Sequence, residues 1–519
     1  MTQFEKTVML RENVMPVALK AQEGVSEPEQ LLEEKLACVS FHNDHSAVFQ
    51  RAGAYVVLDF GKELCGGIRL ITGGAANKTA LFRLTLGESL TEACSQIGEK
   101  NATNDHSPRD FEIPVSGMGD VTYGMSGFRF AKLTLLSQEP VTVRNVFAVS
   151  SLPQLEKEGT LHTDDEKLNQ IIDTAAYTLK LNLQNGCIWD GIKRDRLVWS
   201  GDLNPEILVA AHLYGDIANI RNSLVFLKGE TPADAWINGI PAYSAWWVIN
   251  LCDHYRLTGN SSFFAENLDY ARAVIRHFAG CVNEAGEMDF SDAWHFMPYF
   301  LDWPTANTPD APIGTAALLI YMAKKFLEIQ EEASCHLLVE RLSRYLEMDC
   351  RFKQTRAFQI LAGRSPKGEA AFLEKNGAEG FSTFMAYYIL KAYTMAGGED
   401  PIALIKEYYG AMLDRGATSF WEDFDLNWLK DSGRIDQLPE PGQTDIHGDN
   451  GAFCYVGFRH SLCHGWASGV VAFMIEDILG KTNGKPCLYS LKKLEAKLPT
   501  AEGWLHACIT PEQTCYEME

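Results

Sequence analysis

Residues 240–250 read Ile-Pro-Ala-Tyr-Ser-Ala-Trp-Trp-Val-Ile-Asn, and apolar residues continue with helical spacing to residue 258. Such a helix is apolar on nearly all sides, so it needs packing partners on every side. Several helices of this kind in one chain predict stacked helical hairpins closed into a ring. Trp246 and Trp247 fit the core of this ring as well as its cleft. After residue 163 helical spacing is found in segments 165–184, 205–226, 241–258, 313–330, 381–396 and 402–413.

A different pattern precedes the helices. Between about residues 40 and 152, glycines interrupt short alternating or β-branched runs such as Tyr55-Val-Val-Leu-Asp59. This pattern predicts an antiparallel β-sandwich. We therefore expect a multidomain α and β protein, in which an N-terminal β-sandwich precedes an (α/α)6 toroid. The expected division is 1–155 for the sandwich, 156–482 for the ring and 483–519 for a short segment, either a β-strand lid or a truncated accessory domain.

Composition limits the expected partners and location. The net charge of −22 and the lack of Lys and Arg clusters argue against binding to nucleic acid or to a membrane surface. The first 25 residues carry frequent charges and no long apolar run exists, so neither a secretory signal nor a transmembrane helix is predicted. The 13 scattered cysteines favour reduced thiols in a cytoplasmic protein, although a trimmed export signal would leave the same pattern.

The densest charged segment is the loop 190–202, Asp-Gly-Ile-Lys-Arg-Asp-Arg-Leu-Val-Trp-Ser-Gly-Asp. A helix is expected to follow it, with Asn204 as N-cap and Pro205 in the first helical position. A glycosidase needs this mixture: an acid protonates the leaving oxygen, further carboxylates bind sugar hydroxyls, and aromatic rings cover the sugar's C–H face. A solvated ion-pair cluster would also be charged, but Trp189 and Trp199 at the flanks favour a cleft.

A second acidic loop, 415–425, reads Arg-Gly-Ala-Thr-Ser-Phe-Trp-Glu-Asp-Phe-Asp and follows an amphipathic helix that Gly416 is expected to end. It places Glu422 between an aromatic pair and two further acids. An inverting glycosidase needs a second carboxylate, roughly 6.5–9.5 Å from the first, to deprotonate water. Arg194 or Arg196 would keep Glu422 ionised. A solvated acidic turn is the alternative.

The loop 190–202 resembles the signature of the family 78 α-L-rhamnosidases of the six-hairpin glycosidase superfamily, one form of which is Asp-Gly-Pro-Lys-Arg-Glu-Arg-Leu-Gly-Trp-x-Gly-Asp. Nine of its twelve specified positions match. The loop 415–425 resembles the family's Gly-Ala-Thr-Thr-x-Trp-Glu-Arg-Trp-Asp. Arg194 joins the residues expected to bind sugar. The resemblance implies that Asp195 is the general acid and Glu422 the general base. It also implies that Asp190, Trp199 and Asp202 line the sugar pocket.

One position departs from the family pattern. The family's general acid is Glu, whereas Asp195 carries a carboxyl that is one methylene shorter. A displacement of about 1 Å at a reacting centre can cost on the order of a hundredfold in rate. Either the loop backbone compensates, or activity is low or directed at another glycoside.

Further segments extend the resemblance from about residue 50 to about residue 480. Leu86-Gly-Glu-Ser-Leu resembles part of the β-sandwich that precedes the family's ring. Phe300-Leu-Asp-Trp resembles the family's Gly-Asp-Trp loop, with Leu301 in place of Gly, which implies that Asp302 and Trp303 face the sugar. Ser461-Leu-Cys-His resembles the closing helix, which implies a sugar contact for His464; a hydrogen-bonded core histidine is the alternative.

The resemblance implies an inverting glycoside hydrolase that releases terminal α-L-rhamnose or a closely related sugar. No cofactor and no metal are expected, because no cluster of His or Cys ligands stands out. The expected partner is a carbohydrate, and the oligomeric state stays open. Two alternatives remain: a six-hairpin glycosidase acting on another sugar, and a carbohydrate-binding relative with weak or no activity.

Overall fold

The computed structural model describes residues 4–42, 44–73, 78–294, 297–481 and 484–519. Antiparallel strands occupy its first part and helices most of the remainder. The predicted fold class, an N-terminal antiparallel β-sandwich followed by an (α/α)6 toroid, is confirmed. Across the ranges described, no helix combines the length and the apolar character that spanning a membrane requires.

The N-terminal sheet folds back on itself. Its strands are β1 (Met9–Val14), β2 (Ala18–Glu23), β3 (Val25–Ser26), β4 (Ala47–Phe49), β5 (Tyr55–Thr72), β6 (Ala80–Gly87), β7 (Asp110–Val115), β8 (Asp120–Leu135) and β9 (Val141–Pro153), and the short helix α1 (Leu90–Cys94) follows β6. The order is β3-β4-β9-β5-β8-β6-β7, with β1 paired to β9 and β2 to β5. Phe49 of β4 and Phe82 of β6 pack edge to face at 5.2 Å although three strands separate β4 from β6, so two layers enclose one core.

The ring consists of helical hairpins. Its helices are α2 (Glu166–Asn182), α3 (Leu203–Tyr214), α4 (Ala218–Glu230), α5 (Pro241–Thr258), α6 (Ser261–Gly280), α7 (Asp310–Leu327), α8 (Ala333–Leu342), α9 (Lys353–Leu361), α10 (Ala370–Leu373), α11 (Ala386–Met395), α12 (Pro401–Asp414) and α13 (Val470–Phe473). Each odd-numbered helix from α3 onward packs against the next odd-numbered one, and α13 packs against α3. The odd-numbered helices therefore close an inner layer, outside which the even-numbered helices lie.

The helix α5 shows why the apolar stretch at 240–250 requires a ring. Residues 241–254 are all buried, because neighbours cover the helix on every side. Trp246 packs edge to face against Phe358 of α9, and the Trp247 indole donates a hydrogen bond to the Leu224 carbonyl at 3.0 Å. Both tryptophans thus belong to the core and not to the cleft.

Two predictions about the helix after the acidic loop are wrong. The segment 205–226 is divided into α3 and α4 by Gly215, whose φ of 76° ends a helix. Asn204 is not an N-cap, because α3 already begins at Leu203. Its side-chain amide instead donates to Asn250 and Asp253 of α5, at 2.9 and 3.0 Å, and so ties two inner helices together.

A second antiparallel sheet lies where the chain enters and leaves the ring. Its strands are β10 (Thr160–Thr163), β15 (Leu494–Pro499), β16 (Trp504–Ile509) and β17 (Thr514–Met518), and β10 pairs with β15. Short hairpins add β11 (Leu183–Gln184) with β12 (Cys187–Ile188), and β13 (Gly451–Ala452) with β14 (Tyr455–Val456). The predicted division at 155 and 482 stays a prediction, and the boundary between 482 and 483 lies outside the described residues.

The sandwich is fastened to one end of the ring by backbone hydrogen bonds. The Leu90 N–H donates to the Ile435 carbonyl at 2.8 Å, and the Gly127 N–H donates to the Ile192 carbonyl at 3.0 Å. The Arg129 guanidinium donates to the Gly416 carbonyl at 3.1 Å. These contacts hold the sandwich against both acidic loops identified in the sequence.

Candidate active site

A cavity of about 320 Å³ opens where the sandwich meets the ring. This volume lies within the range of pockets that bind small molecules, roughly 300–1,000 Å³. Every predicted site residue except Asp302 lines it. The two acidic loops, far apart in sequence, therefore meet at one site.

The loop 190–202 is held in place by its backbone. The Asp190 carbonyl accepts a hydrogen bond from the Gly465 N–H at 2.8 Å, and its N–H donates to the Leu197 carbonyl at 3.0 Å. Asp195 and Arg196 adopt the left-handed backbone conformation, with φ of 62° and 55°. Non-glycine residues take this conformation only under local constraint, so the loop turns sharply at the predicted acid.

Asp190 and Asp202 form the acidic floor of the cavity. Asp190 accepts the Leu197 N–H at 2.9 Å, and Asp202 accepts the Tyr243 hydroxyl at 3.3 Å. Burial raises the pKa of both carboxyls well above the usual range, and the remaining acids of the site raise them further. Their neutral forms can both donate and accept hydrogen bonds, as a sugar hydroxyl requires.

Arg194 joins the two predicted catalytic carboxylates. Its Nη2 lies 2.6 and 2.8 Å from the two carboxylate oxygens of Glu422, while its Nη1 contacts the Asp195 carboxylate. Arg194 and Glu422 are both almost fully buried. Of the two arginines predicted to accompany Glu422, Arg194 is the one that does so. The Arg196 guanidinium lies instead over the Trp189 ring, 5.5 Å from its centre.

Glu422 is fixed from three directions. Its carboxylate accepts the Ser461 N–H at 3.0 Å, and its own N–H donates to the Ser461 carbonyl at 2.9 Å. Its carbonyl accepts the Thr383 hydroxyl at 2.6 Å and the Trp466 indole N–H at 2.9 Å. This side chain is therefore held in one orientation before any ligand binds. The preceding helix ends at Asp414, and Gly416 follows with φ of 89°, as predicted.

His464 lies between the carboxylates of the two loops. Its Nε2 is 3.8 Å from both Asp202 Oδ2 and Glu422 Oε1, and its ring packs on Trp466 at 4.2 Å. Burial lowers the His464 pKa to about 3, and the charge of Arg194 lowers it as well. The imidazole is therefore neutral at physiological pH, where it can serve as a hydrogen-bonding group but not as a cation.

Aromatic side chains form the walls. Trp199 packs edge to face against Tyr243 at 5.7 Å, and Trp303 stacks with Phe453 at 5.4 Å and meets Tyr455 edge-on. Trp199 and Trp303 are both only partly buried, so part of each ring stays exposed at the cavity. Such faces suit the apolar C–H side of a sugar.

Asp302 does not line the cavity. Its carboxylate accepts the Trp303 N–H at 2.9 Å and the Ser382 hydroxyl at 2.6 Å, so it holds the Trp303 turn in position. Burial raises its pKa to about 6. A direct sugar contact for Asp302 stays a prediction.

The sequence analysis missed several lining residues. His106 reaches the cavity from a sandwich loop, with Nε2 3.5 Å from Asp195 Oδ1. Tyr243 belongs to the apolar stretch 240–250, where its hydroxyl was the available signal. Cys454, Tyr455 and Arg459 lie in or beside the short hairpin of β13 and β14, which carries no pattern in the sequence.

Two sets of described side chains have the ligand spacing of a metal site. They are Asp190 with Asp202 and His464, and Glu88 with Glu92 and His447. In the second set the Lys193 ammonium already contacts both carboxylates, at 3.0 and 3.2 Å. The first set coincides with the cavity floor, where raised carboxyl pKa values oppose the deprotonated state that a metal needs. The expected absence of a metal stays a prediction.

Comparison with known proteins gives the same family as the sequence motifs. Residues 156–333 match the model of the bacterial alpha-L-rhamnosidase 6 hairpin glycosidase domain. No curated protein matches the chain.

Three solved structures share the fold. A rhamnosidase from Klebsiella oxytoca with rhamnose bound is 20% identical with a TM-score of 0.71, over 90% of this chain and 96% of that one. The GH78 family rhamnosidase of Bacillus sp. GL1 is 18% identical with a TM-score of 0.71, over 93% and 53%. The Streptomyces avermitilis α-L-rhamnosidase complexed with L-rhamnose is 16% identical with a TM-score of 0.66, over 97% and 48%. The chain thus spans about half the length of the last two.

Fold, cavity and family model together define a glycoside hydrolase of the six-hairpin class. The family model agrees with the family expected from the acidic loops, because residues 156–333 match the six-hairpin glycosidase domain of bacterial α-L-rhamnosidases.

Proposed function

We propose that the protein hydrolyses a terminal α-L-rhamnoside with inversion at the anomeric carbon. Asp195 protonates the leaving oxygen, and Glu422 removes a proton from the attacking water. Asp190, Asp202 and His464 bind the sugar hydroxyls, while Trp199 and Trp303 cover its apolar face. The rhamnose bound in the Klebsiella and Streptomyces structures supports this choice of sugar.

The single observation that carries the proposal is the contact of one guanidinium with both Asp195 and Glu422. Arg194 brings carboxylates from two distant loops into one cavity. A cation in contact with a buried carboxylate favours its charged form, which is the form that a general base requires. The tight hold on Glu422 also aims the base at a fixed point, which is where the water has to be bound.

The test separates acid from base by the leaving group. A nitrophenolate leaves without protonation, whereas an alkyl alcohol requires it, so Asp195→Asn should lose much more activity on an alkyl rhamnoside than on p-nitrophenyl α-L-rhamnoside. Glu422→Gln should lose activity on both, by about 10²-fold to 10⁴-fold in kcat. Proton NMR of the first product should show the β anomer. Release of the α anomer would overturn inversion, and an inert rhamnoside beside another hydrolysed glycoside would overturn the sugar.

A carbohydrate-binding protein with little hydrolysis is the second candidate. It is favoured by the identity and the contacts of residue 195: Asp in place of the family's Glu, with its carboxylate against Arg194. The guanidinium occupies the Asp195 oxygen Oδ2, which leaves less of the carboxyl free to meet a leaving oxygen. Under this alternative calorimetry shows rhamnose binding without turnover, and Asp195→Glu raises kcat on the alkyl rhamnoside. In a competent enzyme Asp195→Glu brings no gain.

A further inference from the structure

We propose that Glu88 of the β-sandwich is a positioning residue for Glu422, because it holds both chain segments that bind the Glu422 carboxylate. This inference rests on the function proposed above. Glu88 lies at the start of α1, outside the ring, and does not line the cavity. Its side chain is wholly buried. The sandwich thereby takes part in the chemistry of the ring.

The first connection passes through the segment 461–462. The Leu462 N–H donates to Glu88 Oε2 at 2.5 Å, and the Ser461 hydroxyl donates to Glu88 Oε1 at 3.2 Å. Ser461 is the residue whose N–H and carbonyl both bind Glu422. Both oxygens of Glu88 therefore fix the backbone that orients the general base.

The second connection passes through Lys193. Its ammonium lies 3.0 Å from Glu88 Oε2 and 3.2 Å from Glu92 Oε1, and it also donates to the His460 carbonyl at 2.6 Å. The next residue along the chain is Arg194, whose guanidinium donates hydrogen bonds to the Glu422 carboxylate. A buried ammonium anchored at one residue limits the movement of its neighbour. The same carboxylate thus controls the cation and the backbone donor of the general base.

A carboxylate is needed at position 88 for a reason of charge. Lys193 is buried among Glu88, Glu92 and backbone carbonyls, and a buried ammonium requires anionic partners to offset its loss of hydration. The Glu92 carboxylate also accepts the Glu88 N–H at 2.9 Å, which fixes the two acids to each other. Burial raises the pKa of Glu88 to about 7; Lys193 and the Leu462 N–H oppose this rise, and Glu92 adds to it. An amide at position 88 carries no negative charge, so its oxygen attracts the ammonium less strongly and the anchor weakens.

Glu88→Gln is the decisive variant. We expect kcat on p-nitrophenyl α-L-rhamnoside to fall about tenfold or more, because a small displacement of a catalytic group carries a cost of that order. KM and the affinity for rhamnose should stay near the wild-type values, since Glu88 touches no wall of the cavity. The control is Asp110→Asn, which removes another buried carboxylate of the sandwich, paired with Arg83 at 2.5 Å. It should keep wild-type kcat.

A double-mutant comparison shows whether Glu88 acts through Glu422. In the Glu422→Gln background, adding Glu88→Gln should change the residual rate by less than twofold, because the oriented group is already gone. A full additional tenfold loss would overturn the inference and leave a general structural role. If Glu88→Gln does not fold, Ser461→Ala serves instead, with a severalfold fall in kcat and unchanged KM expected. If Glu422→Gln is inactive but either folded variant keeps the wild-type kcat, this inference alone is overturned. If Glu422→Gln itself is active, the proposed function is overturned.

Discussion

Arg194 and Glu422 form a buried ion pair in which Nη2 lies 2.6 and 2.8 Å from the two carboxylate oxygens. The pair joins residues 228 positions apart. The guanidinium and the Ser461 N–H replace hydrogen bonds to the water that burial removes from the Glu422 carboxylate. The orientation of the predicted general base therefore depends on a residue of the opposite loop.

Replacing Arg194 by Gln should lower the rate at acidic pH. Without the cation a buried carboxylate prefers its neutral form, so the acidic limb of the kcat/KM profile should move to higher pH. The pH–rate profile on p-nitrophenyl α-L-rhamnoside measures this. Arg196→Gln is the matched control, since Arg196 contacts neither catalytic carboxylate, and its profile should not move. An unshifted profile for Arg194→Gln would show that the pair does not govern the base.

Trp303→Ala should raise KM severalfold and leave kcat less affected, because it removes an aromatic face exposed at the cavity. Stacking against a wall of this kind stabilises substrate and transition state alike. Asp302→Asn is the comparison, and its KM should stay near the wild-type value because Asp302 faces Ser382 and the Trp303 N–H. A large rise in KM for Asp302→Asn would indicate that the Asp302 carboxylate contacts the sugar directly.

Glu206→Gln should stabilise the protein at neutral and higher pH. Glu206 is buried on α3, where neither carboxylate oxygen has a hydrogen-bond partner within the described ranges, and burial raises its pKa well above the usual range. When the pKa of a carboxyl is higher in the folded protein than in the unfolded chain, its contribution to stability is fully present below the unfolded pKa of about 4.3. That contribution is lost as the pH rises through the folded-state pKa.

In Glu206→Gln the side chain keeps nearly the same shape, and its amide does not ionise in this pH range. Thermal unfolding of both proteins at pH 5 and pH 8 measures the effect, and the gain in Tm should be larger at pH 8. An equal gain at the two pH values would show that Glu206 is already ionised in the folded protein.

His464 should show no titration between pH 5 and pH 8, because its pKa lies at about 3. Carbon-13 labelling of histidine, with His464→Gln to assign the signal, measures this by NMR. The variant should also bind rhamnose more weakly, since it loses the rigid ring that packs on Trp466. A midpoint near 6.5 would contradict the lowered pKa and would mean that the imidazole changes charge within the working pH range.

The sequence predicted the elements whose signal is local. The helix 241–258 was found at its exact bounds because its residues are apolar on all sides. Asp190, Trp199 and Asp202 were found because one loop carries them all in a specific register. Gly416 was read correctly as a helix end because a glycine there adopts a left-handed conformation.

The rest depends on contacts that no local pattern records. Only the folded chain distinguishes Arg194 from Arg196, because the turn at Asp195 sends the first toward Glu422 and the second toward Trp189. Asn204 was taken for a cap since its side chain suits one, yet partners on α5 bind it instead. His106 enters from another domain and has no motif of its own.

The pairing of β10 with β15 has a consequence for engineering. Thr160 lies opposite Lys497, so the segment that leads into the ring runs alongside the segment that leads out of it. Adjacent ends are what circular permutation requires, and here they lie within the chain, since β1 to β9 precede β10. A short linker across this junction would therefore permute the ring only as a separate piece, without the sandwich whose Glu88 binds the segment 461–462. The inner helices thus form a closed ring, and the chain enters and leaves that ring at the pairing of β10 with β15.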